Sequence, residues 1–300
     1  MPDPIFRFVA PSTGERLDRL VADETGCGRR TAKRWLQGGN VRVNGHVAGA
    51  SDIAAAGSEI VVSSNDESFD DVPPPPALDV VLEDEHVLVV NKPAGVHCER
   101  GRSAGSVADL LEERYGDLRW IGDRPEEAGL VHRIDRDTSG AVVVARDRPT
   151  YRRLREAFRV GATRKQYLAL AAGYLAGPID VDLSLSRRAG RMAPATRFDD
   201  AIAAHTMLAP LDGGEDWTLV LATMSSGAMH QVRVHMAAIG HPLLGDRLYG
   251  GPQPAASLRD GQLLHAMRVQ VAGEIDVTVR APTDFLHAYS TLKREGAVRR

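Results

Sequence analysis

The 300-residue chain reads as an α+β protein, with a small N-terminal module joined to a larger C-terminal domain. Three observations carry that reading. Apolar, β-branched runs outnumber helix-periodic segments without strict alternation between the two, which is the pattern of α+β rather than doubly wound folds. Residues 1–63 spell helix, helix, hairpin. Residues 64–79 are acidic and then proline-rich, with almost no apolar content, and so mark a linker between residues 1–63 and a second domain at 80–300.

Taken in order, Leu17, Leu20 and Val21 recur at helical spacing. Arg29 to Gln37 reads as a second helix, with Ala32, Trp35 and Leu36 inward and Gly38-Gly39 as its stop. Val41-Arg42-Val43 alternates as a strand does, and Asn44-Gly45 is a tight-hairpin signal. From Gly26 to Ala48 there are five basic residues, Arg29, Arg30, Lys33, Arg34 and Arg42, and no acidic one. The net charge of −3 hides this patch, but association with a polyanion depends on where charge lies rather than on its sum. The five side chains are therefore assigned to phosphates of a nucleic acid, in contacts mainly independent of base sequence. In the linker, Asp66, Glu67, Asp70 and Asp71 should stay solvated and repel nucleic acid. Pro73 to Pro76 should be extended, so the module is expected to dock nucleic acid at a distance from the second domain.

After the linker, 80–82 and 87–90 flank Glu83-Asp84-Glu85 as strand, turn and strand. Further strands are predicted at 141–144, 167–172, 217–224, 267–271 and 275–279, and helices near 107–115, 151–158 and 230–239. The most informative stretch is Gly129-Leu130-Val131-His132-Arg133-Ile134-Asp135-Arg136-Asp137-Thr138-Ser139-Gly140, followed by Ala141-Val142-Val143-Val144-Ala145. The run after Gly140 reads as a buried strand and Leu130-Val131 as the end of another, which puts Asp135 in the loop between them. Loops on rigid strands commonly carry chemistry. Arg133 and Arg136 flank the acid, and Thr138 and Ser139 are potential donors to its carboxylate or to the loop backbone.

Composition removes several alternatives. A hydrophobic content of 43% suffices for a substantial core. No uninterrupted apolar segment approaches the roughly 20 residues of a membrane span, and Met1-Pro2-Asp3-Pro4-Ile5 lacks the basic start of a leader. The expected location is the cytoplasm. Cys27 and Cys98 fall in different predicted domains and have no partners at metal spacing, so neither a disulfide framework nor a metal site is expected.

The segment His132 to Gly140 resembles the signature His-Arg-(Leu/Ile)-Asp-x-x-Thr-Ser-Gly of the RluA-type pseudouridine synthases. Four more segments agree in order and spacing: Asn91-Lys92-Pro93-Ala94-Gly95, Arg164-Lys165-Gln166-Tyr167-Leu168-Ala169, His230-Gln231-Val232-Arg233-Val234-His235 with Gly240-His241-Pro242-Leu243-Leu244-Gly245-Asp246, and Leu264-His265-Ala266. The resemblance covers roughly residues 80 to 285. Arg16-Leu17-Asp18 and Val41-Arg42-Val43-Asn44-Gly45 likewise resemble the S4 RNA-binding module.

What the resemblance implies is one large mixed, mainly antiparallel sheet, flanked by helices and crossed by an RNA cleft. The implied reaction converts a uridine in RNA to its carbon-linked isomer and needs no cofactor, which suits the absence of nucleotide-binding, flavin and metal signatures. Asp135 is implied as the catalytic acid, Tyr167 as the aromatic wall for the extruded base, and Arg233 as the partner of Asp135. Lys92 and Arg133 are expected to touch phosphate near the cleft, Asp137 to be structural, and His132, His230 and His235 to hydrogen-bond within the fold. Large-subunit (23S) ribosomal RNA is the expected substrate because relatives of that kind carry the basic module, with transfer RNA as the alternative. A non-catalytic RNA-binding or ribosome-assembly protein is the competing class, and the retained Asp135 argues against it. A hydrolase or glycosylase is a third, and it lacks a second acid to pair with Asp135. A monomer is expected. One departure stands out: the usual Thr-Gly-Arg-Thr before His-Gln is here Ser226-Gly227-Ala228-Met229, which exchanges an arginine and a hydroxyl for apolar surface. Cys98-Glu99 after His97 is a second, local one.

Overall fold

The computed structural model describes residues 4–298 apart from 12, 27–31, 34, 37, 50, 51, 64–76, 101–104, 189, 197, 198, 255–260 and 272. The chain divides into two units, Met1–Ala77 with Glu99–Leu110, and Leu78–Cys98 with Leu111–Arg300. Of the predicted linker, residues 64–76 lie outside the described residues.

In the first unit, β1 (Pro4–Val9), α1 (Leu17–Thr25), β2 (Val41–Val43), β3 (His46–Val47) and β4 (Glu59–Ser63) form a helix against a four-stranded sheet of order β1-β4-β2-β3. Its core gathers Leu17, Leu20, Val21, Ala32, Trp35, Leu36, Val41, Ile60 and Val62, so the inward face predicted for 29–37 is buried where it is described. Residues 32, 33, 35 and 36 are helical. The hairpin falls where Asn44-Gly45 requires it: both residues have positive φ, 50° and 84°, as the tightest hairpin turn demands. The Asn44 carboxamide then accepts the Glu59 N–H at 2.8 Å, tying the turn to β4.

The second unit is built on a nine-stranded sheet. Its elements are β5 (Val80–Glu83), β6 (Val87–Lys92), the part of α2 (Val107–Tyr115) from Leu111 onward, β7 (Ser139–Ala145), α3 (Arg148–Arg159), β8 (Thr163–Ala172) and β9 (Ile179–Asp182). A separate ribbon, β10 (Leu185–Arg188) with β11 (Arg191–Pro194), comes next, and then β12 (His205–Gly213), β13 (Trp217–Met224), α4 (Gln231–Ala238), β14 (Leu264–Val271), β15 (Ile275–Thr278) and α5 (Thr283–Val298). The order across the sheet is β5-β6-β7-β14-β8-β13-β12-β9, with β15 added on β14. The β7–β14 pairing is parallel and the others are antiparallel, so the sheet is mixed and mainly antiparallel.

Burial explains which segments are visible as pattern. All seven residues of β7 are buried, and its run of small and β-branched side chains is what a strand covered on both faces needs. In α4, Gln231 to Met236 are all buried, so this helix has no polar face to alternate with an apolar one. Helix α3 begins three residues before its predicted start, because Asp147 caps it by accepting the Thr150 N–H at 2.8 Å and Pro149 occupies the first turn. Helix α5 covers the sheet through Phe285 and Ala288, packed with Leu170, Trp217, Leu244 and Leu263.

Gly140 is a point of close backbone approach between the central strands. It is opposite Lys92 of β6 and Ala266 of β14, its φ is +120°, and a Cβ there would run into the Ala266 carbonyl. A Gly140→Ala variant should therefore lose about 1–3 kcal/mol from backbone strain, with the clash added. Gly177→Ala, at an open position, should change little. Chemical denaturation of the two variants beside wild type checks this, and equal midpoints would refute it.

Candidate active site

The loop carrying Asp135 is anchored at both ends before its own side chains matter. Leu130 bridges Val144, and the Val131 N–H donates to Val143 at 3.2 Å, so the expected preceding strand is only this short bridge on β7. The loop turns through a Thr138 N–H to Asp135 carbonyl bond of 3.1 Å and rejoins β7 at Ser139. Lys92, at the end of β6, is buried at 1% exposure, and its ammonium donates to the carbonyls of Pro93, Val96 and Arg136, each at 2.8 Å. The expectation that Lys92 touches RNA phosphate is therefore corrected. Its charge is taken up inside the protein, pinning the Asn-Lys-Pro segment to the Asp135 loop. Thr138 and Ser139 also turn away from the acid: Thr138 accepts from Gln262 Nε2 at 3.0 Å, and Ser139 Oγ lies 3.0 Å from His265 Nδ1.

Arg233 reaches Asp135 from α4, 98 positions along the chain. Its Nε and Nη2 donate to the two oxygens of Asp246 at 2.7 and 2.8 Å, and its Nη1 donates to Asp135 Oδ2 at 2.9 Å. The side chains of Arg233 and Asp246 are 8% and 0% exposed and that of Asp135 is 23%, so the clamp is closed at Asp246 and open to solvent at Asp135. Burial works against the guanidinium's charge. The hydrogen bonds to Asp246, and the attraction of Asp135 and Asp246, outweigh it and hold Arg233 above the ordinary arginine range.

Around this clamp sit two side chains that sequence reasoning does not place at the acid. His230, in the left-handed conformation at φ 57°, precedes α4 and puts Nε2 3.6 Å from Asp135 Oδ1. Its Nδ1 lies 2.8 Å from the Tyr249 hydroxyl, which also accepts the Met192 N–H at 3.2 Å. The Tyr249 contact holds the imidazole by Nδ1, so that its Nε2 edge faces Asp135 Oδ1. The Tyr249 ring lies 5.1 Å from the Arg233 guanidinium carbon. Burial lowers the pKa of His230, although Asp135 and Asp246 oppose that effect.

Tyr167 is buried at 6% exposure on β8, between Ala266 of β14 and Ala222 of β13, two small neighbours that leave room for its ring. Burial, and then the negative potential of Asp135, push its phenol up and keep it neutral. His132 accepts the Val143 N–H through Nε2 at 3.0 Å, stacks on Phe158 at 4.3 Å, and is pushed down by burial to about 3. His235 lies 2.9 Å from both Thr206 Oγ1 and the Leu183 carbonyl. His132 and His235 thus serve the fold.

Asp135, Tyr167, Arg233 and His230 share a cleft of about 520 Å³ with Lys165, Phe158 and the apolar Ala228-Met229 segment. Arg133 is exposed on its wall. In the first unit, Lys33 is exposed and Arg42 donates to the Gly45 carbonyl at 2.9 Å, while Arg29, Arg30 and Arg34 lie outside the described residues. Among the described residues there is no cluster of three or more ligands that could hold a metal ion, and no helix is long and apolar enough to cross a membrane.

Residues 86–238, which hold the Asp135 loop, Tyr167 and Arg233, match the family described as RNA pseudouridylate synthase. The chain belongs to the RNA pseudouridylate synthase family. Residues 15–60 match the S4 domain. A relative called ribosomal large subunit pseudouridine synthase D, from Yersinia pestis, is 34% identical over 274 residues, covering 86% of this chain and 83% of its own. One of the same name from Pasteurella multocida is 31% identical, covering 94% and 92%. In fold, the chain is similar to the human RNA pseudouridylate synthase domain containing 4. That match has a TM-score of 0.59 at 23% identity and covers 72% of this chain and 93% of that one. Human domain containing 1 gives 0.58 at 24% identity, covering 70% and 87%. The chain is an RNA pseudouridine synthase, an isomerase.

Replacing Lys92 by Met leaves three carbonyls without their donor and should cost about 3 kcal/mol or more. It should not change the salt dependence of RNA binding. Denaturation and filter-binding titrations at several salt concentrations check both, and an unshifted midpoint with a reduced salt slope would restore the phosphate assignment.

Proposed function

We propose that the chain converts one or more uridines of large-subunit ribosomal RNA to pseudouridine, in the cytoplasm, and that Asp135 is the group acting on the nucleotide. The observation that carries the assignment of Asp135 is its geometry. Oδ2 is fixed by Arg233, while Oδ1 has no hydrogen bond among the described residues and belongs to a carboxylate lining the cleft. The names of the relatives support ribosomal RNA as substrate, and so does the S4 domain.

The reaction breaks the bond from ribose C1′ to uracil N1, turns the ring and forms a bond from C1′ to C5. The C5 proton is lost and N1 gains one, so no electron leaves the system and no outside nucleophile enters the product. A single carboxylate can serve as nucleophile or base in such a sequence, and the protein contributes orientation and electrostatics. A uridine stacked in helical RNA hides its glycosidic bond, so the base must be extruded into the cleft, with Tyr167 as its wall. The neutral phenol of Tyr167 offers a flat, desolvated face beside Asp135. Met229, 39% exposed, adds an apolar rim where the family's usual arginine and hydroxyl are absent, and it bears on which RNA loop fits. In the first unit, Arg29, Arg30, Lys33, Arg34 and Arg42 are proposed to hold RNA phosphates, and Arg133 to do so at the cleft.

Pseudouridine mapping by mass spectrometry after chemical tagging, on ribosomal and transfer RNA from cells carrying wild type or Asp135→Asn, tests this. Ribosomal sites lost only in the variant are the expected result. Loss confined to transfer RNA would overturn the substrate, and an unchanged map would overturn the role of Asp135.

A further inference from the structure

Two lysines of the second unit are buried, and they differ in one respect. Lys92 directs its ammonium to three carbonyls. Lys165 is 6% exposed and lines the cleft, yet it gives one hydrogen bond, to the Ser226 carbonyl at 2.6 Å, and lies over the Phe158 ring at 5.6 Å. Among the described residues no carboxylate stands within ion-pairing distance of it. Two neighbouring cations of the cleft are engaged: Arg155 donates to the Val131 carbonyl and lies 3.7 Å from Glu127, and Arg159 is paired bidentately with Glu156. Burial alone holds the Lys165 pKa down to about 8, with no anion to oppose it. A desolvated charge without a partner is unfavourable in a folded protein, and it persists where function supplies the partner.

Position names that partner. Lys165 precedes Tyr167 by two residues on β8, so both side chains leave the same face of the sheet, about 7 Å apart. A uracil held against Tyr167 would leave its own or the neighbouring phosphodiester within reach of Lys165, which lines the same cleft. The Ser226-Gly227 turn closes over the ammonium so tightly that a Cβ on Gly227 would come within 3.1 Å of Nζ. We propose that Lys165 is a phosphate-binding residue of the cleft, which takes the phosphodiester flanking the target uridine and gains from it the counter-charge that the surrounding side chains do not supply. This rests on the reading of the chain as an enzyme of ribosomal RNA.

The test is single-turnover pseudouridine formation and equilibrium binding on unmodified large-subunit ribosomal RNA transcribed in vitro, for wild type, Lys165→Met and Lys165→Arg, each first shown folded by thermal melting. Lys165→Met should raise Kd about tenfold, change the saturating rate less than about threefold, and reduce the slope of log Kd against log salt by about 0.7–0.9. Lys165→Arg should recover most of the affinity and the slope. An unchanged Kd and slope in Lys165→Met would overturn the proposal. A fall in saturating rate with an unchanged slope would overturn it too, and would make Lys165 a brace for the Ser226 turn. If Lys165→Met does not fold, Lys165→Gln takes its place: a raised Kd with the same reduction in slope supports the proposal, and an unchanged Kd and slope contradict it. A wild-type enzyme that neither binds nor modifies this RNA contradicts the functional reading itself.

Discussion

The second unit is organised around one guanidinium shared by two carboxylates. Arg233 meets Asp246 through two nitrogens in a fully buried pair and offers its third to Asp135 at the edge of the cleft. Only arginine has a rigid fork able to do this, because lysine presents a single point of charge. Burying such a group is costly unless every donor is used, so the arrangement demands a surrounding fold that brings α4, the turn after it and the β7 loop to one place. The sheet does this. β7 and β8 are both held against β14, which sets the Asp135 loop beside Tyr167, and α4 is buried along nearly its whole length.

The loop itself is stiffened from beneath rather than by its own hydroxyls. Lys92 directs its charge to three carbonyls, one of them in the loop, and Thr138 and Ser139 bind Gln262 and His265. The Asp135 carboxylate is therefore left facing the cleft of about 520 Å³ that Tyr167 also lines. His230 and Tyr249 complete the surround, linking the Asp135 side of the clamp to Met192 at the start of the β10–β11 ribbon's return strand.

Much of this is legible in the sequence, for identifiable reasons. Asp135, Tyr167 and Arg233 lie in short motifs whose resemblance to a family is dense, and the structure brings all three to one cleft. Strands β7, β8 and β13 are visible because central strands are nearly continuous apolar runs. Strands β1, β9 and the β10–β11 ribbon are not, being short or at sheet edges, and β4 is a five-residue run between β1 and β2, too brief to stand out despite its alternating burial. In β12, Pro210 and a register shift interrupt the pattern. The partners of the clamp are hidden for a different reason. Asp246 stands in the sequence only as part of a motif, because what makes it matter is a pairing that the chain's linear order does not display. Lys92 looks like a phosphate ligand because a lysine beside a proline turn gives no sign that three carbonyls converge on it.

Arg233→Lys, which keeps the charge and removes the fork, is the substitution that most directly tests the shared guanidinium. Single-turnover pseudouridine formation on ribosomal RNA should fall by at least about a hundredfold with RNA affinity little changed, since the loss is of Asp135's orientation rather than of a phosphate contact. A variant that turned over at near the wild-type rate would show that charge alone suffices at this position, and would contradict a central role for the fork that joins Asp135 to Asp246.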